Sequence, residues 1–149
     1  MAISAALGAP AGSTNFGADE TLSINANRML IGATGGNGRA HLYNSSEVLQ
    51  QSFQPYFYNN LPSALRMEAD IDPGLHFGAA GQIVSSGFVI VGTANTDTNE
   101  NLMYNFRQRG PDFTPVDNDL LVPEVVRKSE TGASVAIDGN TAAVGARDF

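Results

Sequence analysis

The sequence predicts an all-β protein built from a repeated antiparallel sheet. Three observations carry that expectation. Three stretches share one pattern: "FGADETLSINANRMLIGAT" from Phe16, "FGAAGQIVSSGFVIVGTAN" from Phe77 and "TGASVAIDGNTAAVGARDF" from Thr131. Each holds two short apolar-alternating runs split by a polar turn, the period of half-buried strands. Polarity comes from Asn, Ser, Thr, Gln and Gly rather than from charge: only 15% of residues are charged, against about a quarter in ordinary domains.

Within each copy the elements follow in order. Gly-Ala opens the unit at Gly17, Gly78 and Gly132, and a Gly closes it at Gly32, Gly92 and Gly145. The turns are "NAN" (25–27), "SSG" (85–87) and "DGN" (138–140), made of residues that tolerate the positive φ of a tight hairpin. The second runs, "MLIG", "VIVG" and "AAVG", are apolar on both faces and are expected to be central, buried strands. A Gly- or Asn-rich loop follows in the first two copies ("TGGNG", "NTDTNEN"). After it come an aromatic strand ("RAHLYN", "NLMYNF") and a variable stretch with Phe and Pro. The unit recurs after 61 and then 54 residues, counted from Gly17 to Gly78 to Gly132. Four strands per period of this length is the signature of a β-propeller blade.

These units resemble the FG-GAP repeat of integrin α-chain propellers and its bacterial-type relatives. Phe16-Gly17 and Phe77-Gly78 match the "FG". Gly32-Ala33 and Gly145-Ala146 match the "GA", from which Gly92-Thr93 departs. Asp138-Gly139-Asn140 matches the bacterial-type turn and Tyr104–Phe106 the aromatic strand. The resemblance implies a partial β-propeller of about two and a half four-stranded antiparallel blades. One blade covers about 16–76, a second about 77–130 and a half blade 131–149, while 1–10 fits the outer strand of a preceding blade. About two and a half blades cannot close, which implies a piece of a longer propeller or a protomer completed by other chains. The calcium loop of integrin-type blades does not carry over, because the turns between first and second strands are too short for it.

The bulk numbers narrow the function. With 149 residues the chain suits one domain or part of a larger one. A net charge of −7 and a single lysine, Lys128, disfavour nucleic acid and anionic membranes. The pairs Arg107/Arg109 and Arg127/Lys128 read as hairpin tips. No apolar run reaches the ~20 residues of a membrane helix, so membrane insertion is not expected. The absence of cysteine removes disulfides and thiolate chemistry.

No catalytic constellation is visible. His41 and His76 lie in different parts of the repeat and read as packed or loop imidazoles. Ser134 in "TGASVA" lacks the second Gly of a nucleophile elbow. Asp112, Asp117 and Asp119 lack a fixed pairing and read as solvated turns. The chain is therefore expected not to be an enzyme and to need no cofactor. Two oxygen-rich stretches, one with Asp70 and Asp72 and one with Asn95, Asp97 and Asn99, offer the ligand type calcium takes. Neither has the full spacing, and a solvated turn is the default.

The segment "FQPYFYNN" (53–60) is the least repeat-like part. Tyr56, Phe57 and Tyr58, with Tyr104, are candidates for a docking patch or a sugar-stacking surface; filling the space between blades is the alternative. Asn44 in "NSS" is a glycan acceptor if the protein is exported. The expected function is a non-catalytic structural or protein–protein interaction module. Its partners are other protein chains, as a homo-oligomer or as subunits of a larger complex. The alternative is a lectin-like module binding glycan between oligomerised blades. The expected location is extracellular, at a cell surface or in an organelle lumen.

Overall fold

A computed structural model of the protein describes residues 7–17, 22–25, 27–36, 38–54, 77–84, 87–93, 103–116, 134–139 and 141–145. These residues form ten β-strands and no helix. Strands β1 (Leu22–Asn25), β2 (Arg28–Ala33), β3 (Arg39–Asn44) and β4 (Leu49–Phe53) make one sheet in the order β1-β2-β3-β4. Strands β5 (Ala80–Val84), β6 (Phe88–Gly92), β7 (Met103–Arg109) and β8 (Asp112–Pro115) make a second sheet in the same order. Strands β9 (Ser134–Asp138) and β10 (Thr141–Gly145) pair alone. Every pairing within these sheets is antiparallel, so each four-stranded sheet is a simple meander.

The turns follow from the residues at the reversals. Asn25 pairs with Arg28 and Asp138 with Thr141 across tight hairpins, the second helped by Gly139 at φ 56°. The β5–β6 turn is one residue longer. There Gly87 sits at φ 84° and its N–H donates to the Val84 carbonyl at 3.1 Å. Between β3 and β4, the Asn44 side-chain carbonyl accepts from the N–H groups of Ser46 (2.9 Å) and Val48 (3.0 Å), an Asx-type turn.

Strand registers put the two sheets in one frame. The closing residues Gly32 and Gly92 pair onward with Ala40 and Met103. Hence Met29, Ile31, His41 and Tyr43 on one face of the first sheet correspond to Val89, Val91, Tyr104 and Phe106 on the second. In the second sheet this face packs on the opposite face of the first, and the two form one core. Leu30, Ala40, Leu42 and Phe53 come from the first sheet; Ile83, Val89, Val91, Tyr104, Phe106 and Phe113 come from the second. Phe77 lies in this core, fully buried, with its ring 5.1 Å from Tyr104 and 6.5 Å from Phe106, edge-on to both. Phe16 repeats the contact in the first sheet, 5.8 Å from His41 and 6.3 Å from Tyr43.

Polar links cross between the sheets both at their first strands and towards their last. The Gln51 amide donates to the Phe113 carbonyl (2.7 Å) and accepts from the Phe113 N–H (2.8 Å). Arg28 donates to Gln108 at 3.1 Å and stacks over the Phe113 ring. Near the first strands, the Ser23 hydroxyl accepts from the Ile83 N–H at 3.1 Å and the Gln82 side chain accepts from the Ile137 N–H at 2.6 Å.

Two expectations change in detail. Strands β2 and β6 are central and buried, but β10 is not. Thr141 and Ala143 are exposed and Ala142 and Val144 are only half-buried, because β9 is the sole described neighbour of β10 in its sheet. The expected outer strand over 1–10 is not found in its described part: residues 7–10 carry no strand. The remainder of that stretch, and the expected elements over 55–76, 94–102 and 117–133, lie outside the described residues.

The backbone approach at Phe77 allows no side chain beside it. Gly38, at φ 76°, bridges Phe77 in parallel, and a Cβ on Gly38 would fall on the Phe77 backbone. Gly38→Ala should therefore destabilise the protein severely. Phe77→Ala should cost about 3–5 kcal/mol, the range for emptying a buried aromatic site. The half-buried Phe16→Ala should cost less. Urea unfolding midpoints test the order; equal losses for Phe16 and Phe77 would contradict the packing described.

Candidate interaction surface

The first strands of the successive sheets lie side by side, β1 against β5 and β5 against β9. Their positions correspond through the hairpin registers: Ile24, Ile83 and Ile137 are equivalent, as are Ser23, Gln82 and Ala136. Ile83 is 2% exposed beneath the first sheet and Ile137 is half-buried beneath the second. Ile24, with no described sheet over it, is 55% exposed, and its neighbour on the same face, Leu22, is 60% exposed. Two large aliphatic side chains on a short edge strand form an apolar strip, and at the Ile24 position the second sheet has the buried Ile83 instead.

The remainder of that face is covered by the segment 7–17. Leu7 and Phe16 pack on Met29, Ile31 and Tyr43. The Thr14 carbonyl accepts from the Gly35 N–H at 3.1 Å, and the Gly32 carbonyl from the Gly17 N–H at 2.8 Å. His41 pins the segment from below. Its Nε2 lies 2.7 Å from the Ser13 hydroxyl and its Nδ1 lies 2.8 Å from the Ser52 hydroxyl. A neutral imidazole can donate from one nitrogen and accept at the other, and hydroxyls serve either role. Burial first, then the nearby Arg39 charge, hold its pKa below the ordinary 6.5. Burial alone pushes the Tyr43 phenol above its ordinary value. Chemically, this is a buried latch. In a Ser–His–Asp triad a carboxylate holds the second nitrogen; here the Ser52 hydroxyl occupies that place.

Of the residues singled out for binding, Tyr104 is fully buried against Phe77, so its ring serves the core. Tyr56, Phe57 and Tyr58 lie outside the described residues. So do Asp70, Asp72, Asn95, Asp97 and Asn99, named for calcium. Among the described residues no group of three or more His, Asp or Glu could hold a metal ion, and no helix is long and apolar enough to cross a membrane. Asn44 closes β3 in a turn whose Ser45 and Ser46 are exposed. Ser134 opens β9, exposed.

Sequence reasoning missed the strip and the latch. The pairing of His41 with Ser52 was implicit in the β3–β4 register, but the approach of Ser13 had no local signal. Exposure of Leu22 and Ile24 depends on what stands beside β1, which alternation alone does not reveal. No family model, curated protein or solved structure matches the chain.

Holding His41 below 6.5 makes stability pH-dependent in a definite sense. Below that pH the unfolded chain takes up a proton at this position that the folded chain resists. The contribution is thus fully present above pH 6.5 and is lost progressively as the pH falls from there towards the lower folded-state pKa. His41→Gln keeps an amide between the two hydroxyls but cannot titrate. It should flatten the stability loss just below pH 6.5, measured as urea midpoint against pH. Parallel wild-type and variant curves there would show that His41 is not held neutral.

Proposed function

We propose that this chain is a non-catalytic structural and protein–protein interaction module, an FG-GAP-like β-propeller fragment of about two and a half blades that takes its place in a larger assembly. Several observations support the blade reading. The two meanders share one strand order, stack with one face of the second on the opposite face of the first, and place their first strands side by side. The observation that carries the interaction reading is the exposed Ile24, whose equivalents Ile83 and Ile137 are buried and half-buried beneath the preceding sheet, with the exposed Leu22 beside it on the same face. The proposal extends to an extracellular, cell-surface or lumenal location, where the Asn44 acceptor would be used. The lectin-like reading gains no support from the described residues, because the one candidate aromatic among them, Tyr104, is in the core.

The test is the mass of the native species in extract from the source, by size-exclusion chromatography with light scattering. The chain is expected in a species heavier than the isolated protein. Leu22→Glu with Ile24→Glu should return it to the mass of the isolated chain without lowering its melting temperature, since both side chains are solvent-exposed. A chain at monomer mass in the extract, or a folded double variant that stays in the heavy species, would refute the interaction reading.

A further inference from the structure

We infer that the Leu22–Ile24 strip takes the first strand of another sheet of this same repeat, one carrying a hydroxyl or amide acceptor at the Ser23/Gln82 position, and that Ala136 withholds that acceptor in this chain's own β9–β10 hairpin. The inference rests on the interaction reading above and specifies its partner.

One step occurs twice within the chain. In each instance the residue two places before the turn, an isoleucine, lies under the preceding sheet. In each instance its outward N–H donates to a side chain of that sheet's first strand: Ile83 to the Ser23 hydroxyl at 3.1 Å, Ile137 to the Gln82 carbonyl at 2.6 Å. The donor and acceptor positions are the same in both steps. Ile24 stands at the donor position of a third step. Asn25 and Arg28 flank a two-residue hairpin turn and form its closing hydrogen-bonded pair, so Ile24 and Met29 are the next, non-bonded pair. The Ile24 N–H therefore points away from β2, as those of Ile83 and Ile137 point away from β6 and β10. Apolar contact and an edge N–H at this spacing fit the strand that already occupies the equivalent place twice.

The β9–β10 hairpin lacks that acceptor, and it offers Ala143 where the sheets offer Leu30 and Ile90. Its outward face presents Ser134, Ala136, Asp138, Thr141 and Ala143, all exposed. Ala136 stands where Ser23 and Gln82 carry their acceptors, so a second copy docking head to tail would leave the Ile24 N–H without that bond. A net charge of −7 on each copy opposes the same encounter. Selectivity here comes from omission: the acceptor at this position separates the sheets that make the step from the β9–β10 hairpin.

The experiment gives the hairpin what it lacks. Ala136→Gln and, separately, Ala136→Ser are made in the full chain. Position 136 is exposed, so both should fold, and Ser is the residue at the equivalent position 23. Sedimentation of the purified proteins should show head-to-tail self-association tightened roughly fivefold to tenfold over wild type, the value of one hydrogen bond. Adding Ile24→Asp should abolish the gain. Self-association unchanged in both variants, or a gain that survives Ile24→Asp, would overturn the inference. If wild type still entered its heavy species through Leu22 and Ile24, the interaction reading would stand and only the partner's identity would fall.

Discussion

The structure depends on the seating of Phe77 between two sheets. Its ring meets Tyr104 and Phe106 edge-on, and its backbone meets that of Gly38 with no room for a Cβ on Gly38. Glycine next to it is required for the same reason: a Cβ on Gly78 would strike the Arg39 carbonyl. The Phe-Gly pair thus combines a large buried aromatic surface with a backbone thin enough to lie against the neighbouring sheet. The same close approach of the sheets lets Phe53 reach Phe106 at 4.7 Å, Gln51 reach the Phe113 backbone and Ser23 reach Ile83.

An interface of this kind is directional. Each sheet offers one face to the sheet before it and the other to the sheet after, and the two faces differ. In the first sheet the leading face has no described sheet upon it. The segment 7–17 covers its middle strands, fixed through Phe16, Thr14 and the Ser13–His41–Ser52 chain of hydrogen bonds. The cover does not extend over β1. A segment of irregular backbone can satisfy its own polar groups on Gly35 and His41, but it supplies no flat apolar strand to lie over Leu22 and Ile24.

Much of this architecture was legible in the residues, for identifiable reasons. Asn25–Asn27, Ser85–Gly87 and Asp138–Asn140 mark turns through chemistry that acts locally, and all three reversals occur there. "MLIG" and "VIVG" are apolar on both faces, and β2 and β6 are accordingly central. "AAVG" has the same pattern but small residues. Ala142 and Ala143 are equally compatible with a half-exposed hairpin, so composition could not separate the two environments. Tyr104 looked like a surface aromatic because Tyr is amphipathic. Its equivalence to His41, which would have marked it as the contact of the Phe-Gly ring, emerges only once strand registers are known. The exposed Leu22–Ile24 strip was illegible for a related reason: Ile24, Ile83 and Ile137 are the same residue in the same local pattern, and only neighbours distinguish them.

His41 and Tyr104 show how one repeat position can be put to two uses. Both lie under a Phe-Gly phenylalanine, at 5.8 and 5.1 Å. Beneath a neighbouring sheet, where the surroundings are aromatic and aliphatic, a tyrosine fills the space with its ring. Beneath an irregular segment with a serine on either side, an imidazole fills a similar volume and offers a donor and an acceptor in opposite directions. Replacing a sheet by a strap thus changes the demand at this position from apolar area to two-sided hydrogen bonding, and histidine is a side chain of suitable size that meets it. The same exchange explains why the first sheet keeps an apolar strip: the strap answers the polar demand at His41 and the apolar demand at Met29, Ile31 and Tyr43, and stops short of the first strand.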